Sequence, residues 1–557
     1  MTSVRDACDF DEDLGEALCA DDLAGKLPIG NPSFESIRKG GFIYVDKTRG
    51  VVELARRQHV MLVRPRRFGK SLLVSTLESL FRDGAPAFKG LDAYTLWNEP
   101  QRKVVHLDFS TIRDASTREE CEERLAQHLA LAIVQAESIP WSEAIDEVLR
   151  MQSLGALPLW EMYLMRQEAR SLVVLIDEYD APLTARLQDP AGFEIWRGVL
   201  EGFFQTTKRY SGKLRFLFVT GIMRFREASL FAAFNNIVDV SQEPAFGDLL
   251  GFTEEEIKRF FRPYVERAGS ALGMRAEDVL KAMRRYYEGF CFDEAAAKHV
   301  YQPWSVLRFL DQPSTRFKHY WFESVGAPAV LVKFLRHHRL LAPEAFDAEH
   351  SVPKTLLASS GFIDGIDGID PRELLARAGY LTILAALGPD VTLGYPNEEV
   401  REAMAELYRR AFWPSPSFYE ELVHDFVDAV NGADAGKLQA ALNRLVHALD
   451  YQDFSLNSEA PVRQLVQVFC LGAALPVRVE VHSPKGCSDL EFSTRQADVV
   501  FEFKVVDVQT KAAQALDRAL QQIRQREYGA ERAGRRLLRF GIVFSREERK
   551  FCAVGLA

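Results

Sequence analysis

The segment 59–81 decides the fold of the chain; it is His-Val-Met-Leu-Val-Arg-Pro-Arg-Arg-Phe-Gly-Lys-Ser-Leu-Leu-Val-Ser-Thr-Leu-Glu-Ser-Leu-Phe. The short apolar run 60–63 ends before a proline and predicts a strand. From Leu72 onward no helix breaker interrupts the sequence, which predicts a helix. The loop between them ends in 69–71, Gly-Lys-Ser, at the start of the helix. Such a loop aims backbone N–H groups and the positive end of the helix dipole at an anion, so it predicts a phosphate-binding site.

The side chains of this loop predict ATP and Mg²⁺ as its ligands. Lys70 supplies a cation for the phosphates, and Ser71 offers a hydroxyl to Mg²⁺. Arg64 stands where the pattern G-x-x-x-x-G-K-[ST] has its first Gly. Taken alone, a Gly-Lys-Ser tripeptide could equally do no more than cap a helix. The expected nucleotide-binding residues of the loop are Arg66, Arg67, Phe68, Gly69, Lys70 and Ser71.

A second signal lies in 171–180, Ser-Leu-Val-Val-Leu-Ile-Asp-Glu-Tyr-Asp. The apolar run predicts a buried parallel strand whose carboxylates appear only at its carboxyl end, where ligands of open α/β sheets bind. Asp177 is expected to join the Mg²⁺ shell, and Glu178 to orient or deprotonate the attacking water. A solvated acidic loop is the alternative, and the upstream Gly-Lys-Ser favours the catalytic interpretation.

Four segments together resemble the bacterial AAA-ATPase-like proteins that carry a C-terminal PD-(D/E)xK nuclease-type domain. They are Leu-Pro-Ile-Gly-Asn-Pro-Ser-Phe at 27–34, Gly-Phe-Ile-Tyr-Val-Asp-Lys-Thr at 41–48, Arg-Pro-Arg-Arg-Phe-Gly-Lys-Ser at 64–71, and Leu-Ile-Asp-Glu-Tyr-Asp at 175–180. Arg at the first loop position is part of that family's own pattern. The resemblance runs over most of the chain after residue 26 and implies ATP binding.

The distribution of apolar strands predicts the α/β class, with a doubly wound parallel sheet of the P-loop ASCE type. The resemblance implies a polar residue beside the γ-phosphate at the end of strand four, and Thr220 is the match. Arg224 and Arg226 could reach phosphate in cis or across a subunit interface, so an oligomer is compatible with the sequence, although both could instead be surface residues. The predicted strands are 60–63, 104–109, 172–176, 214–222 and 237–240.

The rest of the N-terminal two thirds predicts a helical lid followed by a connector. Thr253 and Glu256 have capping-box spacing before an apolar run. Gln302 stands where the family signature has Asn. The segment 361–370 superficially resembles a calcium loop but lacks its ligand order, so turns are expected there. The predicted domains are an acidic disordered arm (1–26), an ATPase domain (27–250), a helical lid (251–310), a mixed, mainly helical connector (311–450) and a nuclease-like domain (451–557).

The last 110 residues or so are similar to the PD-(D/E)xK core in their predicted order of one helix, three strands, one helix and one strand. Glu502 and Lys504 lie two apart and project from the same face of a strand, with Asp489 on the preceding strand. Two carboxylates can hold a divalent cation against a scissile phosphate, while the Lys stabilises the developing charge. An exposed ion pair is the alternative interpretation of the Glu and Lys. The order of elements favours the site.

Further residues around this constellation follow from the resemblance. Gln522 matches the family's Gln before Ile and could position the substrate or the Lys. Glu459 and Glu480 are additional ligand candidates. Cys487 occupies a position at which the family usually has Arg, which removes a cation from the site. The catalytic residues expected overall are Glu178, Asp489, Glu502, Lys504 and Gln522, and the metal ligands expected are Ser71, Asp177, Asp489 and Glu502.

Composition and charge limit the alternatives. Of the net charge of −10, residues 1–26 carry eight acidic side chains against two basic ones, so the acidic arm is expected to be disordered. An acidic protein gives no bulk attraction for nucleic acid, which must therefore contact a local patch. The seven cysteines have no zinc spacing, and no signal or membrane-spanning pattern is present, so a cytoplasmic protein is expected.

The sequence thus predicts an ATP-binding P-loop ATPase coupled to a Mg²⁺-dependent nuclease-type domain with nucleic acid as its partner, compatible with defence or mobile-element biology. Two alternatives stay open at this point. One is a nucleotide-switch regulator whose C-terminal domain binds nucleic acid or protein without cutting it. The other is a signalling scaffold that never hydrolyses ATP.

Overall fold

A computed structural model of the chain describes most residues after the acidic arm. The described residues are 27–187, 189–223, 236–313, 317–318, 320–321, 331–332, 350–358, 370–413, 415–449, 456–473, 475, 477–483, 486–528 and 535–557. The predictions for the arm at 1–26, for Arg224 and Arg226, and for turns at 361–369 lie outside them. Among the described residues, no helix is both long and apolar enough to cross a membrane.

The chain divides into two compact units. The first comprises Met1–Trp321 and Glu349–Glu399, and the second comprises Phe322–Ala348 and Val400–Ala557. The predicted domain boundaries stay a prediction.

The first unit is built on a five-stranded parallel sheet. Its strands are β1 (His59–Val63), β2 (Lys103–Asp108), β3 (Leu172–Asp177), β4 (Leu214–Gly221) and β5 (Val238–Asp239). Their order is β2-β3-β4-β1-β5, and all neighbours are parallel. Every residue of β1, β3 and β4 is buried, as expected of a sheet covered on both faces. The parallel sheet confirms the predicted α/β class.

Helices connect and flank these strands. The helix after β1 begins at the predicted junction. The helices up to β5 are α1 (Phe34–Lys39), α2 (Thr48–Ala55), α3 (Lys70–Arg82), α4 (Ala93–Leu96), α5 (Arg118–Ala136), α6 (Trp141–Gln152), α7 (Ala156–Arg166), α8 (Ala181–Thr184) and α9 (Pro190–Arg209).

A second core in the same unit lies in the predicted lid segment. Thr253 and Glu256 form both hydrogen bonds of a capping box, which confirms that expectation. Gln302 caps the last helix of this segment, because its side-chain oxygen accepts from Ser305 N at 3.1 Å, so the change from Asn keeps the capping function. The elements are α10 (Glu254–Phe260), α11 (Arg262–Leu272), α12 (Ala276–Tyr287), β6 (Phe290–Cys291), β7 (His299–Val300) and α13 (Pro303–Asp311).

A small antiparallel sheet completes the first unit. Two of its strands form a hairpin, β9 (Thr382–Leu387) and β10 (Asp390–Gly394). A third strand, β8 (His350–Pro353), pairs with β10 and was not predicted. Two short helices accompany the sheet, α14 (Lys354–Ala358) and α15 (Pro371–Arg377).

The second unit contains a mixed sheet in the order β11-β12-β13-β14-β15. Only β13 and β14 are parallel, and a helix connects them, as a parallel pair requires. The last strand was not predicted. The strands are β11 (Val477–Ser483), β12 (Gly486–Ser493), β13 (Ala497–Val506), β14 (Arg536–Ser545) and β15 (Lys550–Leu556).

The helices of the second unit pack on this sheet. Asn443 exchanges two hydrogen bonds with the backbone of Phe551, at 2.9 and 2.7 Å, so a helix from the predicted connector pairs with the last strand. The helices are α16 (Glu398–Phe412), whose first two residues belong to the first unit, α17 (Pro416–Asn431), α18 (Ala435–His447), α19 (Glu459–Gly472) and α20 (Ala512–Arg526).

Candidate functional site

Arg64, which replaces the first glycine of the general loop pattern, is a buried structural residue. Its guanidinium donates to the carbonyls of Val63 at 2.9 Å, Ser241 at 2.7 Å and Phe246 at 2.9 Å, and it lies 4.5 Å from the ring centre of Phe292. Arg64 is 2% exposed. The guanidinium therefore ties the end of β1 to the chain after β5, and it is engaged with protein rather than directed at a phosphate.

The loop that follows ends in a glycine with a left-handed backbone. Gly69 caps α3 with a φ of 92°, which favours glycine, and the space where a side chain would begin is open. Lys70 opens the helix, and its Nζ donates to Pro65 O at 3.1 Å across the loop. Burial lowers the pKa of Lys70, while the carboxylates of Asp177 and Glu178 oppose that shift. The predicted lysine and acidic residues are thus brought together.

The loop is also braced by the lid segment. The guanidinium of Arg67 lies 4.3 Å from the ring centre of Trp304 in α13, and Phe68 packs edge-on against Phe290 and Phe292 at 4.9 and 5.0 Å. Phe68 is buried, whereas Arg66 and Ser71 are exposed. Of the six loop residues predicted to bind nucleotide, Arg67 and Phe68 thus contact the aromatic side chains that hold the loop.

Asp177 and Glu178 lie where β3 ends, at the carboxyl edge of the sheet. The Asp177 carboxylate is 4% exposed and accepts from Glu178 N at 2.9 Å. Glu178 has a φ of 48°, a left-handed conformation that is rare for a residue with a side chain. Burial raises the pKa of the Glu178 carboxyl, Lys70 opposes this, and the charges of Asp177 and Asp108 add to it.

The two residues after Glu178 hold this unusual backbone in place. Tyr179 donates from its backbone N to Thr220 O at 3.1 Å and from its hydroxyl to Met223 O at 2.6 Å. Asp180 accepts from Met223 N at 2.7 Å and from Ile222 N at 3.1 Å. We call Tyr179, Asp180 and the Met223 peptide the clamp. It fixes the turn after β3 to the chain leaving β4.

Burial of the clamp has an electrostatic consequence. Burial raises the pKa of Asp180 to about 6, although the hydrogen bonds from Met223 and Ile222 and the charge of Lys70 favour the ionised form. The carboxyl oxygen also occupies the space beside Gly221: a Cβ there would overlap Asp180 Oδ1 and would lie 2.9 Å from the Tyr179 ring. The clamp therefore depends on a glycine at the end of β4.

Thr220 lies at the predicted strand end, but its hydroxyl is engaged. Its Oγ1 donates to Leu62 O at 2.6 Å, and the side chain is fully buried between β4 and β1. In this structure the Thr220 hydroxyl links two strands, and its expected contact with a γ-phosphate stays a prediction.

Sequence reasoning missed Asp108, which ends β2 directly opposite Asp177 in the sheet register. Its charge acts on Glu178, and its backbone N donates to His128 Nε2 at 3.0 Å. The signal was present, since Asp108 closes a predicted strand at the same edge of the sheet as Asp177.

The C-terminal constellation lies on β12 and β13. Asp489 Oδ2 accepts from Phe503 N at 2.7 Å, which fixes the carboxylate beside β13. Lys504 Nζ donates to Glu502 Oε1 at 2.9 Å and lies 3.9 Å from Glu459 Oε2 at the start of α19. Asp489, Glu502 and Lys504 are therefore brought together as predicted. Glu502 is 1% exposed, so the Glu and Lys are not the solvent-exposed pair of the alternative interpretation.

Glu502 is the most perturbed group of this site. Burial raises its pKa to about 7, the charge of Asp489 adds to the shift, and the hydrogen bond from Lys504 opposes it. Its second oxygen, Oε2, is buried and accepts no hydrogen bond from the described part of the chain. A buried carboxylate oxygen without a partner is costly unless a cation or another ligand supplies one.

The remaining predicted residues differ in how close they come to the site. Gln522 Nε2 donates to Tyr528 OH at 3.2 Å, and the charges of Glu502 and Asp489 both act on Tyr528, so Gln522 borders the carboxylates through this phenol. Cys487 lies on β12 near Asp489, where it brings no charge. The side chain of Glu480 lies outside the described residues.

A metal ion fits this site through few protein ligands. Among the described residues, no group of three or more His, Cys, Asp and Glu side chains is arranged to hold an ion. Asp489 and Glu502 would supply two carboxylates, and Glu502 Oε2 has no hydrogen-bond partner among the described residues. Mg²⁺ is commonly held by one or two carboxylates together with water and substrate phosphate, so the donor set suits it.

Comparison with known proteins finds two family matches and one relative along nearly the whole chain. Residues 28–231 match the family described as "Predicted AAA-ATPase", and residues 458–554 match the "PD-(D/E)XK nuclease superfamily". The chain is 30% identical over 543 residues to an "uncharacterized protein in vnfD 5'region" of Azotobacter chroococcum mcd 1; the aligned region covers 94% of this chain and 97% of that protein. Each family match contains one of the two sites described above.

Proposed function

This chain belongs to the family of predicted AAA-ATPases with a C-terminal domain of the PD-(D/E)XK nuclease superfamily, and we propose that it hydrolyses ATP and cleaves nucleic acid. Hydrolysis is assigned to the loop 64–71 and to Glu178, and cleavage to the carboxylates on β12 and β13. The observation that carries the cleavage assignment is the buried Oε2 of Glu502, beside Asp489 and Lys504, which accepts no hydrogen bond from the residues that the structure describes. Both activities take Mg²⁺ as their cofactor. The free buried cysteines support a cytoplasmic location.

In the nucleotide site, the backbone N–H groups at the start of α3 and the Lys70 cation would hold the phosphates. Ser71 and Asp177 would hold Mg²⁺, which neutralises charge on the phosphates when bound. Glu178 would accept a proton from the attacking water, and its raised pKa brings its basicity closer to neutral pH. The left-handed turn at Glu178, which the clamp holds, and the effect of the Lys70 charge on its carboxyl support this role.

In the nuclease site, Asp489 and Glu502 would hold the ion, and a bound divalent cation would polarise the scissile phosphate and acidify a water molecule. Lys504 would leave its contact with Glu502 and stabilise the charge that develops on the phosphate. Glu502 would release its proton before the ion binds, because a metal ligand must be deprotonated. Gln522 would position Tyr528 and the substrate at the border of the site.

A second candidate function is a nucleotide-dependent switch whose C-terminal domain binds nucleic acid without cutting it. Cys487 favours this candidate, because a neutral thiol stands where the family usually has a cation. Such a protein would bind ATP normally, and its metal affinity would not depend on Asp489. The changes at Asp489, Glu502 and Lys504 would then have no cleavage activity to remove.

The deciding experiment offers single- and double-stranded DNA and RNA to the purified full chain with Mg²⁺ or Mn²⁺, with and without ATP. We expect cleavage by the wild type and none by Asp489→Ala or Glu502→Gln, with metal affinity reduced in both; Lys504→Ala should keep metal binding but lose cleavage. If the wild type cuts none of these substrates, and if Asp489→Ala binds metal as tightly as the wild type does, the nuclease is excluded and the switch remains.

Hydrolysis is tested separately by calorimetry and phosphate release. Lys70→Ala should lose most ATP affinity, because Lys70 contacts phosphate in the ground state. Glu178→Gln should bind ATP but lose turnover, because the amide cannot accept the proton of water. Normal phosphate release by Glu178→Gln would remove the catalytic role assigned to Glu178.

A further inference from the structure

We propose that Arg526, the last residue of α20, binds a backbone phosphate of the nucleic-acid substrate of the C-terminal site. The inference rests on the proposed nuclease function and adds to it a substrate-binding residue outside the carboxylate and lysine constellation. Arg526 is exposed, so a phosphodiester can reach it from solvent.

The first observation is that the Arg526 side chain lies against bare backbone at the start of β12. A Cβ at Gly486 would lie 2.6 Å from Arg526 Nη1 and 2.8 Å from its Cδ, separations that real Cβ contacts do not show. The guanidinium therefore occupies space left by the missing side chain of Gly486. Since Gly486 begins the strand that carries Asp489, the cation lies beside the strand of the first predicted metal ligand.

The second observation links Arg526 to the two carboxylates through Tyr528. The Tyr528 ring is 1% exposed, and Gln522 donates to its hydroxyl. Burial raises the pKa of this phenol and the hydrogen bond from Gln522 opposes the rise; the charges of Glu502 and Asp489 add to it, and that of Arg526 opposes it. The charges of Arg526, Asp489 and Glu502 thus all act on one buried side chain.

The charge of the site gives this cation a role. Three carboxylates, those of Asp489, Glu502 and Glu459, lie near one lysine, and Lys504 already donates to Glu502 and lies 3.9 Å from Glu459. A further cation beside these carboxylates would add to the attraction that a metal ion held by Asp489 and Glu502 exerts on a phosphodiester. A guanidinium can match two phosphate oxygens at once, which suits it to a phosphodiester.

Three polar side chains share one side of α20. Arg518, Gln522 and Arg526 are four residues apart, which places them on one side of the helix. Gln522 already borders the site, so exposed Arg518 and Arg526 flank it at either end. This side of α20 fits the charged backbone of a nucleic-acid strand, whereas Arg524 lies on another face and serves as a matched control.

The test measures binding of labelled DNA and RNA oligonucleotides to the full chain at several salt concentrations, in a Glu502→Gln background that prevents turnover. Arg526→Ala should weaken binding about tenfold and reduce the slope of log affinity against log salt by about one. Arg526→Lys should keep the salt slope but recover only part of the affinity, because it lacks the bidentate contact. Arg524→Ala should bind as the background does.

A second variant tests whether the position of the Arg526 guanidinium beside Gly486 matters, without removing its charge. Gly486→Ala should displace the guanidinium and reproduce most of the loss seen in Arg526→Ala, and in the active protein both should raise KM more than they lower kcat. If wild type cuts nucleic acid and Arg526→Ala matches Arg524→Ala in affinity and salt slope, the inference about Arg526 is wrong while the nuclease function stands. If wild type neither binds nor cuts, both are overturned.

Discussion

Asp180 is a buried carboxyl group that makes the stability of the first unit depend on pH. Its pKa is about 6 in the folded protein, compared with an ordinary value of 3.8. Below the ordinary value, both the folded and the unfolded chain carry the proton, and this group does not oppose folding. As the pH rises through about 6, the folded chain must release a proton from a buried site, so up to about 3 kcal/mol of stability is lost.

Asp180→Asn should remove this dependence because an amide does not titrate. We expect the free energy of unfolding of the variant, relative to wild type, to rise by up to about 3 kcal/mol between about pH 4 and about pH 8. Urea denaturation with pulse proteolysis measures this, since peptides from the first unit identify its transition. Asp114→Asn, at an exposed side chain, is the control. Parallel pH profiles for Asp180→Asn and wild type would contradict the raised pKa.

At the scale of single residues, the sequence predicted those whose role depends on local spacing. Lys70 follows a loop glycine and Asp177 ends a strand, so their neighbours in sequence place them in the structure. The clamp was missed because its contacts join separate elements, whereas Asp108 ends a predicted strand as Asp177 does and could have been predicted in the same way. Arg64 was interpreted as a departure from a glycine pattern, and only the fold shows the three carbonyls that it bonds.

At the scale of elements, one added methyl group at the end of β4 should lower both the stability of the first unit and its ATP turnover. Gly221→Ala would drive a Cβ into the Asp180 carboxyl and the Tyr179 ring, which breaks the clamp. We expect it to destabilise the first unit by about 1–3 kcal/mol, as overpacking does, and to lower ATP turnover more than ATP affinity. Gly212→Ala, just before the same strand, meets no atom within 4 Å and should have little effect on either. Equal behaviour of the two variants would show that the clamp does not support the site.

The junction of β1 with the chain after β5 depends on Arg64. Arg64→Ala should destabilise the first unit by about 2–4 kcal/mol, because it leaves buried carbonyls without donors. Arg64→Gly restores the general loop pattern. We expect it to destabilise the first unit at least as much as Arg64→Ala does, despite the more permissive backbone of glycine. Urea denaturation compares both with Arg56→Ala, an exposed arginine that should be close to neutral. A stable Arg64→Gly protein would show that the glycine pattern is sufficient here.

Elements with strong periodicity were predictable, and short or late ones were not. The strands β1 to β4 are rich in apolar residues, and the helix α3 has no breaker among its apolar residues, so their types and order followed from the sequence. The strand β8 contains only His-Ser-Val-Pro, which has no alternation to detect. The strand β15 follows a charged turn at the end of the chain, and its pairing with β14 and with Asn443 depends on the folded sheet.

For the whole molecule, the two units each have a core and a candidate ligand site. The carboxylates on β12 and β13 lie entirely in the second unit, and the phosphate loop lies entirely in the first. A ligand that binds only one folded unit stabilises that unit by mass action. The architecture therefore predicts two separately addressable unfolding transitions.

The last prediction concerns the effect of each of two ligands on the wild type and on one variant of each site. Mn²⁺ alone should raise the unfolding midpoint of the second unit in wild type and in Lys70→Ala, but not in Asp489→Ala, which lacks a carboxylate ligand. ATP with Mg²⁺ should raise the midpoint of the first unit in wild type and in Asp489→Ala, but not in Lys70→Ala. At about a hundredfold excess over Kd, each ligand should add about 2.7 kcal/mol to the unit that it binds. Pulse proteolysis with peptide identification assigns each transition to its unit. Loss of the Mn²⁺ effect in Lys70→Ala would contradict independent sites, because it would mean that the phosphate loop in the first unit controls metal binding in the second.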